Sequence, residues 1–174
     1  MKNFKKLMLV LTAIAMVSCG EKKEKKQIKL TDQPAETTES VTKVKSTQDE
    51  NVVEITITGN DQMQYSLAEM KVKAGQTVRV TLKHIGKMDK NVMGHNWVLL
   101  TSGTDMAEFG ALAVAAKATD YVPAGTDKVI AHTKLLSGGE SDTVEFVAPA
   151  AGTYDYICSF PGHYALMKGK FIVE

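Results

Sequence analysis

Near the end of this 174-residue chain, Cys158, His163 and Met167 stand at the spacing Cys-x4-His-x3-Met, three metal-ligating side chains within ten residues. A fourth, His95, lies 63 positions upstream in the run Met93-Gly94-His95-Asn96-Trp97. Together they offer two imidazoles, a thiolate and a thioether. That set suits one copper ion exchanging single electrons, because soft sulfur favours Cu(I) while imidazole accepts either oxidation state. Zinc competes poorly for it, since zinc sites rarely recruit a thioether. Taken singly, each residue has a plainer reading: a Met in the core, a His at the surface, a Cys as a small buried hydrophobe. The joint spacing is what points to a metal.

The intervening residues fit that chemistry. Pro161-Gly162 supplies the tight backbone that lets Cys158 and His163 face one centre from a single loop. Pro161 also has no N–H to offer the sulfur. Only one other cysteine exists, Cys19, at the far end of the chain. Cys158 therefore has no evident disulfide partner, and metal ligation gives its thiolate a reason to exist.

At these residues the chain resembles azurin, the small blue-copper electron carriers of bacteria. The resemblance rests on Lys90-Asn91-Val92-Met93-Gly94-His95-Asn96-Trp97, on the copper-loop run from Phe160 through Met167 to Gly169, on Gly59-Asn60-Asp61-Gln62-Met63-Gln64, and on Val129-Ile130-Ala131-His132-Thr133. It covers residues 51–174, and the x4/x3 spacing differs from that of plastocyanin-like copper loops. It implies His95, Cys158 and His163 as strong ligands of one Cu(I)/Cu(II) ion. Met167 becomes the weak axial ligand and the Gly94 carbonyl a distant oxygen opposite it. The same resemblance implies that the backbone N–H groups of Asn96 and Phe160 donate to the sulfur, and that the Asn96 side chain ties its strand to the copper loop. The disulfide usual in the family has no counterpart here: the two positions fall near Val53 and Gly75, so the first strand is held by packing and ladder hydrogen bonds alone.

Around His163 the sequence places Met88, Val92, Met93, Phe160, Ala165 and Leu166, nearly all apolar. The resemblance makes Val92, Met93 and Ala165 part of a flat docking patch centred on the copper-bound histidine. Redox proteins such as c-type cytochromes or periplasmic reductases would dock there transiently. An exposed apolar patch marks an interaction site on physical grounds as well, although several of these residues read equally well as core. His84 aligns with a family histidine that responds to pH, but Ile85 replaces the proline that usually follows, and an end-of-strand structural role is the alternative. His132 reads as a surface residue.

The chain's beginning is of another kind. Lys2, Lys5 and Lys6 precede an apolar run over residues 7–17 and then Ser18-Cys19-Gly20. Residues 1–19 thus read as a secretion signal of the lipoprotein type, with Cys19 as the lipidated residue, in which case the membrane is reached through a lipid anchor. Residues 20–50 lack aromatic side chains and mix lysine with acidic and hydroxyl residues, which predicts a disordered tether. A net charge of +1 gives no argument for nucleic acid. Location follows as periplasm or cell envelope.

Residues 51–174 suffice for one core. Alternating apolar residues over 53–58, 78–82, 143–147, 153–157 and 170–173 predict half-buried strands separated by Gly, Pro and Asp. The expected fold is all-β, a Greek-key β-sandwich, in agreement with the cupredoxin fold that the resemblance implies, with one short external helix over 105–118, where Met106, Phe109, Ala113 and Ala116 recur near helical spacing. The expected function is a single-electron carrier and not an enzyme. A copper oxidase or nitrite-reducing domain needs a further catalytic metal, and of four histidines two are already spent. The alternative is a copper delivery or storage lipoprotein, which would favour exposed, exchangeable Met or Cys clusters.

Overall fold

The structure, a computed structural model, describes residues 45–46 and 51–174. The span read as a signal, with Cys19, and nearly all of the span read as a tether lie outside the described residues. The strands are β1 (Lys45–Ser46), β2 (Val52–Asn60), β3 (Gln64–Tyr65), β4 (Glu69–Val72), β5 (Thr77–His84), β6 (Val98–Leu100), β7 (Val129–His132), β8 (Ser141–Val147), β9 (Gly152–Ile157) and β10 (Lys168–Val173). Two α-helices, α1 (Lys90–Met93) and α2 (Met106–Ala113), flank β6.

The strands form the expected all-β sandwich. One sheet runs β1-β2-β5-β8 with β3 paired to the far end of β2; the other runs β4-β10-β9-β6-β7. Their inner faces come from simple alternation. In β5, Val78, Val80, Leu82 and His84 point inward while Arg79 and Lys83 face solvent; in β2, Val53, Ile55 and Ile57 do the same. Tyr156 and Phe171 from the second sheet, with Trp97 just before β6, fill the space between, with ring centroids 5.8 Å (Trp97–Tyr156) and 6.4 Å (Trp97–Phe171) apart. Such burial is the principal stabilising term in a domain of this size.

No disulfide joins β2 to the turn before β5, Cys158 being the free cysteine among the described residues. A parallel ladder does that work, in register from Val52↔Thr77 to Gly59↔His84. The Thr77 N–H extends it to the Asn51 carbonyl at 2.8 Å. Inside the span read as a tether, Lys45–Ser46 pairs antiparallel with Glu54 and Val53.

Helix α2 is shorter than the periodicity suggests. Asp105 caps it, its carboxylate accepting the Ala107 and Glu108 N–H groups at 2.8 and 2.9 Å. Its buried residues are Phe109, Gly110 and Ala113, whereas Met106 is half-buried. Gly110 leaves a slot that the Tyr164 ring occupies: a Cβ there would lie 2.7 Å from that ring. The helix therefore packs on the loop that follows Cys158.

Candidate metal centre

Three local devices bring the ligand candidates together. His95 leaves α1 and enters an isolated antiparallel bridge with Leu136, exchanging N–H···O bonds of 3.2 and 2.8 Å. Cys158 directly follows β9, where it joins a buried cluster with Val98, Phe109, Ile157, Phe160 and Met167. His163 closes a turn in which its N–H reaches the Phe160 carbonyl at 3.0 Å. Gly162 holds φ 82 and ψ −12, the left-handed third position of a type II turn, which explains Pro161 before it. The loop is then tied off by Met167 N–H to the His163 carbonyl at 2.8 Å and Cys158 N–H to the Met167 carbonyl at 2.9 Å.

The result is a compact donor set. Cys158 Sγ lies 4.0 Å from His95 Nδ1 and 3.6 Å from His163 Nδ1. The three ligand atoms all fall within 4.8 Å of one another, and all three residues are buried. The Gly94 carbonyl is 3.8 Å from the sulfur. Met167 is fully buried beside them: a Cβ placed on Gly59 would sit 3.2 Å from the Met167 Cε methyl and 3.0 Å from the His95 ring, so the absence of a side chain at 59 makes room for both.

Electrostatics prepare the donors. Burial pushes the Cys158 thiol up to about 12, against the pull of hydrogen bonds from the Asn96 and Phe160 backbone, so a thiolate there demands a cation beside it. Burial, with the neighbouring His95 and His84, pushes His163 down to about 4. His95 is lowered as well, chiefly by burial. Both imidazoles are therefore neutral near pH 7, with lone pairs free. For His95 the nitrogen is fixed too: Nε2 lies 2.9 Å from the Asn60 carbonyl and donates to it, which leaves Nδ1 to face the sulfur. A neutral N₂S set that is buried, converging and oriented from outside fits a single copper ion.

The metal-free protein should accordingly lose stability on mild acidification. Unfolded histidine takes a proton near pH 6.5, while folded His163 resists down to about pH 4, so its contribution is complete above 6.5 and is lost as pH falls from 6.5 to 4. The expected result is a melting temperature that begins to decline near pH 6.5, already before carboxylates titrate, and goes on falling towards pH 4. A flat profile between pH 6.5 and 4 by circular dichroism counts against the assignment.

The family model described as copper binding proteins, plastocyanin/azurin family, matches residues 51–174. The chain belongs to that family. Among its azurin relatives, the one from Achromobacter denitrificans is 50% identical over 121 residues, covering 67% of this chain and 80% of the relative. Azurin-2 of Alcaligenes xylosoxydans xylosoxydans is 49% identical over 120 residues, 67% of this chain and 93% of its own length. Among solved structures, auracyanin A, a blue copper protein from Chloroflexus aurantiacus, superposes with a TM-score of 0.65 at 38% identity, covering 71% of this chain and 99% of that one. An azurin from Methylomonas sp. strain J gives 0.63 at 35% identity, covering 70% and 97%. In this azurin-like domain His95, Cys158 and His163 are positioned as the ligands of one copper.

Several neighbours of the azurin-like centre had no signal in the sequence. The Asn60 carbonyl fixes His95, and a backbone acceptor leaves no mark in residue type. Tyr65 sends its hydroxyl to the Asn96 carbonyl, and nothing in the spacing separates that phenol from a core aromatic. The Asn96 side chain donates to the Asp120 carbonyl and to Ser159 Oγ, both at 2.8 Å, and accepts the Ser159 N–H at 2.9 Å. Neither Asp120 nor Ser159 is marked as its partner by residue type or spacing. His84 is buried at the end of β5 and stacks on His95 with centroids 4.2 Å apart, its Nε2 3.0 Å from the Met93 carbonyl. His132 is exposed on β7. Of the apolar residues near His163, Val92 and Leu166 are 65% and 63% exposed, Met88 45%, whereas Phe160 is buried and Met93 half-buried. Ala165 is exposed, and Ile85, absent from the expected patch, is 62% exposed.

Proposed function

We propose that this chain carries single electrons in the cell envelope, through a type 1 copper centre that His95, Cys158 and His163 would hold, with Met167 and the Gly94 carbonyl as further, weaker donors. The observation that carries the reading is the buried convergence of His95, Cys158 and His163 on one point. Copper bound there supplies one-electron chemistry between Cu(I) and Cu(II). The chain's own residues do the rest. Asn60 holds the His95 ring, the Phe160–His163 turn fixes the second imidazole, and Asn96 and Phe160 direct N–H groups at the sulfur. Ligands oriented by the fold rearrange little when the charge changes. Burial of Phe160, Phe109 and Met167 keeps water from the centre.

Electrons leave through His163. Val92, Ala165 and Leu166 expose apolar surface beside the ligand segments, suited to small, short-lived contacts with redox proteins such as c-type cytochromes. The signal-like residues 1–19 support export, and Cys19 directly after the apolar run supports a lipid anchor to the membrane. The deciding experiment is the visible spectrum of the copper-loaded protein. An intense blue thiolate band is expected, and a loaded protein without one would defeat the reading.

Val92→Lys tests the docking face. Val92 is 65% exposed and lies outside the buried core. Electron self-exchange brings two such faces together, so paired lysines should slow it about tenfold at low salt. The visible spectrum should stay unchanged, and an unaltered exchange rate moves the contact elsewhere.

A further inference from the structure

Every polar group of Asn96 is occupied, and the partners come from different parts of the fold. Its N–H serves Cys158, its side-chain amide serves Asp120 and Ser159, and its carbonyl accepts the Tyr65 hydroxyl. Three of these partners sit on loops flanking the centre. Tyr65 alone comes from the opposite sheet, on the two-residue strand β3 that pairs with Gly59 and Asn60 of β2. Those two residues already shape the site, Gly59 by leaving room for the His95 ring and Met167, Asn60 by binding His95 Nε2. The Tyr65 phenol therefore links the strand that holds His95 to the residue whose N–H meets the sulfur.

We propose that Tyr65 is a positioning residue for the copper thiolate: by holding the Asn96 carbonyl it fixes the direction of the Asn96 N–H toward Cys158 Sγ. This rests on the copper reading, but its first consequence does not. Asn96 is fully buried, so without the phenol its carbonyl has no partner, and a buried unpaired acceptor drives local rearrangement. The N–H of the same residue then loses its alignment. An N–H donor withdraws charge from sulfur and stabilises the site more when the additional electron is present, so losing it lowers the midpoint potential.

The molecule supplies its own control. Tyr156 is a second buried phenol, its ring centroid 5.8 Å from that of Tyr65, and its hydroxyl donates to the Leu67 carbonyl at 2.7 Å, away from Asn96. Tyr65→Phe and Tyr156→Phe each remove one buried hydroxyl and keep the ring. In the full chain, amide hydrogen exchange of metal-free protein should show Asn96 protection reduced about fivefold or more in Tyr65→Phe, the usual worth of one hydrogen bond, and unchanged in Tyr156→Phe. On the copper-loaded proteins the midpoint potential should fall and the thiolate band shift in the first variant only. Equal behaviour of the two variants, or wild-type exchange and potential in Tyr65→Phe, overturns the proposal. If Tyr65→Phe does not load with copper, a fluorinated tyrosine at 65 replaces it. That more acidic phenol of the same shape should raise the potential, and an unmoved potential overturns the proposal. Altered Asn96 exchange in Tyr65→Phe, together with a copper-treated parent chain that shows no blue band, would sustain the positioning of Asn96 while defeating the copper function, so the two failures are distinguishable.

Discussion

Cys158→Ser should give a protein that folds, shows no intense blue absorption when copper is added, and carries no electrons. The two sites of action separate cleanly. Serine is slightly smaller than cysteine, and the position already has polar neighbours: the Gly94 carbonyl 3.8 Å from the sulfur and the Asn96 and Phe160 N–H groups. A hydroxyl there finds partners, so the loss of folding stability should be about 1 kcal/mol. The loss of metal chemistry is far larger. A hydroxyl does not ionise in this buried site, so the donor set keeps two neutral imidazoles and a thioether and loses its only anion. Removing an outer residue that merely orients a ligand costs roughly 10–100-fold in metal affinity; losing the anionic ligand itself should exceed that. Titration against a competing chelator reads the affinity, and the visible spectrum reads the thiolate. A surviving blue band in the serine variant would show that another group supplies the transition.

The same contrast explains which parts of the centre are legible in sequence. Cys158, His163 and Met167 share one loop, so their spacing is visible, and His95 announces itself by residue type. Strands β2, β5 and β8 are visible because each buries only one face, as the alternation of Val78, Val80 and Leu82 with Arg79 and Thr81 shows. Strand β6 breaks that rule. Val98, Leu99 and Leu100 are all fully buried, one set of contacts serving the sandwich and the other the cluster around Cys158, so no period of two appears. Helix α2 misleads for a related reason. The residue that fits it against the copper loop is Gly110, beneath Tyr164, and a glycine adds nothing to an apolar pattern. The second layer is harder still, since Asn60 acts through its carbonyl and Tyr65 through a hydroxyl whose partner is backbone. Tertiary proximity alone creates those roles.

Asn96→Ala should be the most destabilising single change near the centre. Its side chain joins the segment that carries His95 to the segment that carries Cys158 through two hydrogen bonds with Ser159, of 2.8 and 2.9 Å, and to the Asp120 carbonyl through a third of 2.8 Å. Alanine leaves the Asp120 carbonyl, the Ser159 hydroxyl and the Ser159 N–H without these partners. Ser159 is buried, so water does not readily replace what is lost, and the expected cost is about 3 kcal/mol. For a domain of this size that lowers the melting temperature by roughly 10 °C. The backbone N–H directed at Cys158 is untouched by the substitution, so the copper-loaded variant should keep a blue band while surrendering its metal to a chelator faster than the parent. Destabilisation should be at least as great with copper as without it, because a ligand of the folded state stabilises less when it is held less tightly, and that loss adds to the loss of folding stability. An Asn96→Ala protein that melts within about 2 °C of the parent would place the tie between these segments in the backbone bridge of His95 with Leu136 instead.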